Sequence, residues 1–142
     1  MKRTGFRTLV AAAALVAATA GADQDKLLAE ARGVAAGIPP KLMEVLAEEM
    51  KRGGPQGAIG VCREKAPQLA KEASEQTGWL IRRVSLRNRN PKAVPDSWER
   101  PVLEEFDRRA AAGEAPASLE RGEIVSDGSA RMYRYMKALP TQ

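Results

Sequence analysis

Hydrophobic positions run without interruption from residue 9 to residue 18, and only after Asp23 do they recur with a period. Leu27, Leu28, Ala31, Val34 and Ala35 fall at helical spacing and predict an amphipathic helix over 23–36. Gly37 and Pro39-Pro40 are expected to end it, with Pro40 in the first turn of a second helix, where a missing N–H costs nothing. Leu42, Met43, Leu46 and Met50 give that second helix an apolar stripe as far as Lys51. Gly53-Gly54 is a stop, and Pro55 opens a third helix over 55–65 with Ala58, Ile59, Cys62 and Ala66 on one face. Pro67 is expected to break or kink the chain before helix resumes over 68–76 and stops at Thr77-Gly78.

The pattern then changes. Trp79, Ile81 and Val84 bring aromatic and β-branched character to residues 79–86, which read as a half-buried strand. A basic, Asn-rich loop follows over 87–95. Asp96 and Glu99 are spaced as a capping box for a helix whose buried side carries Trp98, Val102, Leu103 and Phe106. Two strands are expected over 119–125 and 130–139, with Asp127-Gly128 as the hairpin turn between them. Met132, Tyr133, Tyr135 and Met136 do not alternate cleanly, so the pattern leaves open which face of the last strand is buried. The fold class that emerges is α+β, with helices first and an antiparallel sheet after them.

Composition narrows the function. The 142 residues suffice for one domain with a modest core. A charge of +5 would suit nucleic acid, but the first 22 residues account for much of it. Lys2, Arg3 and Arg7 precede the apolar run, which is too short for an ordinary membrane span, and Ala18-Thr19-Ala20 and Ala20-Gly21-Ala22 both fit a small-residue cleavage site. Residues 1–22 therefore read as a secretory signal peptide, with an uncleaved N-terminal anchor as the alternative. Its removal takes three basic residues and no acid from the totals of 23 and 18, leaving 20 Lys+Arg against 18 Asp+Glu. A near-neutral exported protein is a poor general binder of nucleic acid, where phosphate neutralisation supplies most of the affinity. A periplasmic location follows, with no stable membrane anchor once the leader is cleaved.

No histidine is present, which removes Ser-His and Cys-His nucleophilic pairs, His general bases and His-ligated metals from these residues. Carboxylate pairs such as Glu104 and Glu105 fall on a solvated helix face, so an enzyme is not expected. Cys62 is the only cysteine and can form no intrachain disulfide. An exported lone thiol is exposed to intermolecular pairing unless it is buried or engaged. Arg82, Arg83, Arg87 and Arg89 crowd four guanidiniums into eight residues, which need either solvent or an anionic partner.

Three segments, GAIGVCREKAP over 57–67, GWLIRRVSLRNRNPKAVPDSWE over 78–99 and RYMKALPTQ over 134–142, together resemble a family of periplasmic single-haem sensors with a PAS-like domain. They occur in that family's order and spacing, so the resemblance covers nearly all of residues 23–142. It implies a PAS-like antiparallel sheet flanked by N-terminal helices and a covalently bound c-type haem. It also implies a role in redox or ligand sensing, or in low-potential electron transfer with a periplasmic redox partner. Cys62 matches the cysteine that the resemblance makes an axial iron ligand, an alternative to a small buried core residue. Arg83, Arg87 and Arg89 become candidates for the haem propionates, with Asn88 or Asn90 as further donors. Asn90, Pro91, Pro95 and Asp96 serve equally well simply to shape a turn and cap a helix. Met43, Met50, Met132 and Met136 are read as core rather than as thioether ligands.

The departure from the family is at the end. Members continue into a C-x-x-C-H motif that tethers the haem and supplies its histidine ligand. This sequence stops at Gln142, with neither a second cysteine nor a histidine. The expectation is a C-terminally truncated domain, favoured by its intact upstream motifs, or else a haemless relative. In the haemless case, the alternative function is a PAS-like module that binds a small anion or a protein partner through the arginine region.

Overall fold

The computed structural model describes the backbone of residues 12–139 and the side chains of residues 21–61 and 63–139. The first half of the proposed leader, and the closing Pro140-Thr141-Gln142, lie outside the described residues. Helix α1 (Ala12–Gly60) runs through Pro39 and Pro40, where the sequence pattern predicts a break. The reason is visible in the seam. Leu28, Ala31, Ala35, Ile38, Leu42 and Val45, spaced alternately three and four apart, are all buried or half-buried and stay in phase across the prolines. Proline's fixed φ is itself helical, so two lost backbone hydrogen bonds are outweighed by continuing the seam. Met43, Met50 and Ile59, predicted on apolar stripes, face outward instead.

The break comes at Gly54, whose φ of 63° and ψ of −156° belong to no helix and are open mainly to glycine. Beyond it, the chain folds back beside itself. Pro67 does not end the returning helix. A π turn (Val61–Lys65) precedes it, with the Ala66 N–H donating to the Val61 carbonyl. The widened turn spares Pro67 the clash its ring would make with the carbonyl four residues back. Helix α2 (Ala66–Thr77) follows and ends at Gly78, whose N–H donates to the Ser74 carbonyl at 2.9 Å.

Residues 79–86 form no strand. Their donors are drawn elsewhere: the Ile81 N–H to Ser74 Oγ (3.0 Å), the Ser85 N–H to the Ala93 carbonyl (3.0 Å), and the Trp79 indole N–H to Glu30 of α1 (2.8 Å). With the backbone donors of Ile81 and Ser85 committed to Ser74 and Ala93, the segment forms no sheet ladder. Helix α3 (Glu99–Ala111) and the hairpin of β1 (Glu120–Asp127) and β2 (Ala130–Lys137) complete the described fold. The two strands pair antiparallel, from Glu120 opposite Lys137 to Asp127 opposite Ala130. The architecture is thus α+β, and the antiparallel sheet among the described residues has two strands.

Both faces of that hairpin are used, which accounts for the untidy alternation of β2. Tyr133 and Tyr135 lie on the face toward α1, and Met136 and Arg134 on the face toward α3. The α3 side holds the main core, Val102, Phe106 and Leu119, with Trp98, Met136 and Ala138 packed against it. On the α1 side Tyr133 lies directly over Gly122, where any Cβ would collide with its hydroxyl, and Leu28 closes the same spot. Gly122 therefore lets an aromatic ring rest on the strand backbone.

Candidate functional site

The loop between α2 and α3 is the most basic stretch of the described chain, and local hydrogen bonds set its shape. Asn90 caps a single 3-10 turn (Pro91–Ala93), accepting from the Lys92 N–H at 2.9 Å, and the Ala93 N–H returns to the Asn90 carbonyl at 2.9 Å. The Asn88 amide donates to the same carbonyl at 3.3 Å, and the Arg87 N–H to Ser85 Oγ at 3.2 Å. The Ser85–Ala93 backbone bond closes the neck. The turn role of Asn90 and Pro91 expected from their residue types is therefore present.

Below the neck lies a buried carboxylate. Glu99 is 5% exposed and is one half of the predicted capping box: its N–H donates to Asp96 Oδ1, while the Asp96 N–H donates to Glu99 Oε2, both at 2.8 Å. Glu99 also accepts Arg82 in a two-pronged pair, and Arg134 of β2 approaches it at 3.2 Å. Arg82 spends a further donor on the Val94 carbonyl at 3.1 Å, gripping the other side of the loop. Arg134 stacks 4.5 Å above the Trp98 ring and bonds Asp96 at 2.6 Å, while the Trp98 indole N–H donates to Glu123 of β1 at 2.8 Å. One capping box thus joins the loop, α3 and both strands. A buried charge placed in this way is tolerable because two guanidiniums and a backbone N–H satisfy it.

The electrostatics follow from these contacts. Burial opposes ionisation of Asp96, but the Arg134 guanidinium and the N–H groups of Glu99 and Trp98 together outweigh it and hold the carboxyl below its ordinary value. The hydrogen bond from Arg82 to Glu99 raises the Arg82 pKa further. A second polar centre ties α1 to the hairpin. Arg32 forks onto Glu120, which also accepts the Tyr135 hydroxyl at 2.7 Å, and these two hydrogen bonds lower the Glu120 carboxyl to about 2. Burial and the bond to ionised Glu120 push the Tyr135 hydroxyl above the usual phenol value.

The predicted site residues separate into two groups. Arg83, Arg87 and Arg89 stand on the one loop, exposed, and none of them forms an ion pair among the described residues. Arg82, from the same run, is the structural member. Cys62 belongs to the π turn that joins α1 directly to α2; its side chain lies outside the described residues. Two shallow clefts of about 300 and 390 Å³ lie between α1 and α2, one around Val34, Ile38 and Leu69, the other around Glu48, Arg52 and Gln68. Neither is lined by the loop arginines. Sequence spacing gave no sign of Glu99 as the meeting point of Arg82 and Arg134, since those partners lie 17 and 35 residues away. The capping-box pattern was the one available pointer to it.

Across residues 6–142 the sequence matches the Tll0287-like domain model, named for Tll0287. The chain belongs to the Tll0287-like family. No curated protein and no solved structure matches it. In this Tll0287-like chain the basic loop and the capping-box node lie well inside the matched region, as do Cys62 and its π turn. Among the described residues no helix is long and apolar enough to cross a membrane.

Proposed function

We propose that this Tll0287-like chain is a periplasmic haem-binding domain of PAS-like type, working as a redox or ligand sensor or as a low-potential electron carrier. The observation that carries the reading is the loop: Arg83, Arg87 and Arg89 stand on hydrogen-bonded backbone with no carboxylate partner among the described residues. Guanidinium forks so placed suit a ligand bearing two carboxylates, as haem does. Cys62 is the one thiol that could face iron, and the π turn that carries it is a local distortion of a kind common at functional sites.

The residues present fit the group in part. Cys62 would supply a thiolate to the iron and Arg83, Arg87 and Arg89 donors to the propionates, while the two tethering thiols and the histidine of a C-x-x-C-H motif are not among these 142 residues. Bound haem would supply a one-electron couple, and an anionic sulfur ligand favours its ferric state. The chain's own contribution would be orientation, through guanidiniums that Arg82 and Glu99 hold in place from below. A second reading rests on the exposed loop arginines alone: a haem-free module that binds a small anion there.

The test is the absorption spectrum of the protein expressed from its complete reading frame in a cell that attaches haem to exported cytochromes. A Soret band is expected. A colourless product that binds inorganic phosphate, and loses that binding on Arg87→Ala, would replace the haem reading with the haem-free one.

A further inference from the structure

We infer that the cleft between α1 and α2 around Val34, Ile38 and Leu69 binds the zwitterion of an aliphatic α-amino acid. The site belongs to the helical half, is separate from the basic loop, and depends on neither reading above. Two glycines shape it. Gly33 and Gly37 lie one turn apart inside α1, where glycine is a poor residue because it gives up the most backbone freedom on folding. Gly57 has a packing reason to be glycine: a Cβ there would stand 3.1 Å from the Glu49 carbonyl oxygen. Gly33 and Gly37 have none, since an added Cβ at either would meet no atom within 4 Å. Both line the cleft of about 300 Å³, and the open space above them is its floor.

The walls and the mouth of the cleft set the ligand class. Val34 and Ile38 of α1 and Leu69 and Ala73 of α2 make its sides apolar. This cleft joins residues 33–41 to residues 69–77, and its neighbour joins 44–52 to 65–72, so α2 runs antiparallel to α1. Lys41 and Glu72 therefore stand at the same end, on facing helices. Both are exposed, and neither forms an ion pair among the described residues, although Arg52 pairs with Glu48 and Glu49 nearby and Lys71 with Glu75. Glu72 accepts only the neutral Gln68 amide, at 3.0 Å.

One cation and one anion, apart from each other at the mouth of an apolar cleft, are complemented by a ligand with both charges at one end and a hydrocarbon tail. An aliphatic α-amino acid is the smallest such molecule. Its carboxylate meets the Lys41 ammonium, its ammonium meets Glu72, and its side chain lies over Gly37 between Ile38 and Leu69. The volume is at the lower end of small-molecule sites, which run from roughly 300 to 1,000 Å³, and suits a ligand of this size better than a larger one. Because Lys41 and Glu72 are exposed, solvent screens the head contacts, and the buried tail supplies most of the affinity.

The experiment titrates L-leucine into the full-length protein by isothermal calorimetry, and a saturable heat with one site per chain is expected. Gly37→Leu places a branched side chain where the ligand's tail lies and should weaken binding at least about tenfold. The same change should keep or raise the melting temperature, because the new Cβ meets open space and leucine favours helix. Lys41→Gln and Glu72→Gln, which leave the floor intact, should each weaken binding about fivefold. Two truncated ligands, 4-methylpentanoate and 3-methylbutylamine, keep the tail and one charge each, and should likewise bind about fivefold more weakly than leucine. Lys65→Gln, which lines only the neighbouring cleft, is the control and should stay within about twofold of wild type. Absence of a saturable heat with L-leucine would overturn the proposal, as would unchanged affinity in a folded Gly37→Leu variant. Equal affinity for either truncated ligand would overturn the pairing of two charges. Weakening by Lys65→Gln as large as that by Lys41→Gln would overturn the location.

Discussion

The two halves of the molecule are held together by different means. The helical half, α1 with the π turn and α2, relies on one continuous apolar seam, and Ala31 and Val61 are its buried members. Met43, Met50 and Ile59 lie off it, on the exposed side. The second half, from Trp79 to Ala138, has the core of Val102, Phe106 and Leu119 and, beside it, a buried charged node. A seam of many similar contacts degrades gradually when one is removed. A node with one carboxylate and several dependants fails at once.

That contrast sets the scale of expected mutational effects. Glu99→Ala removes the acceptor of Arg82, Arg134 and the Asp96 N–H together, and should destabilise the fold by about 3 kcal/mol in urea denaturation. Leu42→Ala, in the half-buried seam of the helical half, should cost about 1.5 kcal/mol. If the two variants cost the same, the contrast between node and seam is wrong.

Gly122→Val probes the junction between the halves. Its side chain would displace Tyr133, which packs edge-on to Trp79 at 6.1 Å, so a loss of about 2 kcal/mol and a change in tryptophan fluorescence are expected together. An unchanged emission spectrum would show that Tyr133 does not hold the Trp79 corner.

The smallest effect depends on pH. Glu120 has its folded pKa lowered from 4.5 to about 2, so the stability it contributes is fully present above the unfolded value and is lost as pH falls toward 2. Solvent around Arg32 screens the pair, and the loss should amount to about 1 kcal/mol. Glu120→Gln should flatten the stability profile over that interval. A variant with the same acid profile as wild type would remove the Arg32–Glu120–Tyr135 centre from the account.

What the sequence made legible follows the same division. Local devices were readable: the Asp96/Glu99 capping box, the Gly54 break, the stop at Thr77-Gly78, and the hairpin turn near Asp127-Gly128. Helical periodicity is readable too, but the break that Pro39 and Pro40 predict is overridden by a seam that stays in phase across them. Residues 79–86 have the composition of a strand, yet strand formation requires a partner, and the backbone donors of Ile81 and Ser85 go to Ser74 and Ala93 instead. The arginines illustrate the limit for the site. Four guanidiniums in a row look equivalent in sequence, and only the fold distinguishes Arg82, which holds the loop, from Arg83, Arg87 and Arg89, which it presents.

The proposed function asks both halves to serve one ligand, the helical half through Cys62 and the other through the basic loop. Its most direct test is a potentiometric titration of the haem-loaded, full-length protein beside its Cys62→Ser variant. Loss of an anionic sulfur ligand should raise the reduction potential, by about 0.1 V or more. Identical potentials in the two proteins would contradict a role for Cys62 at the iron.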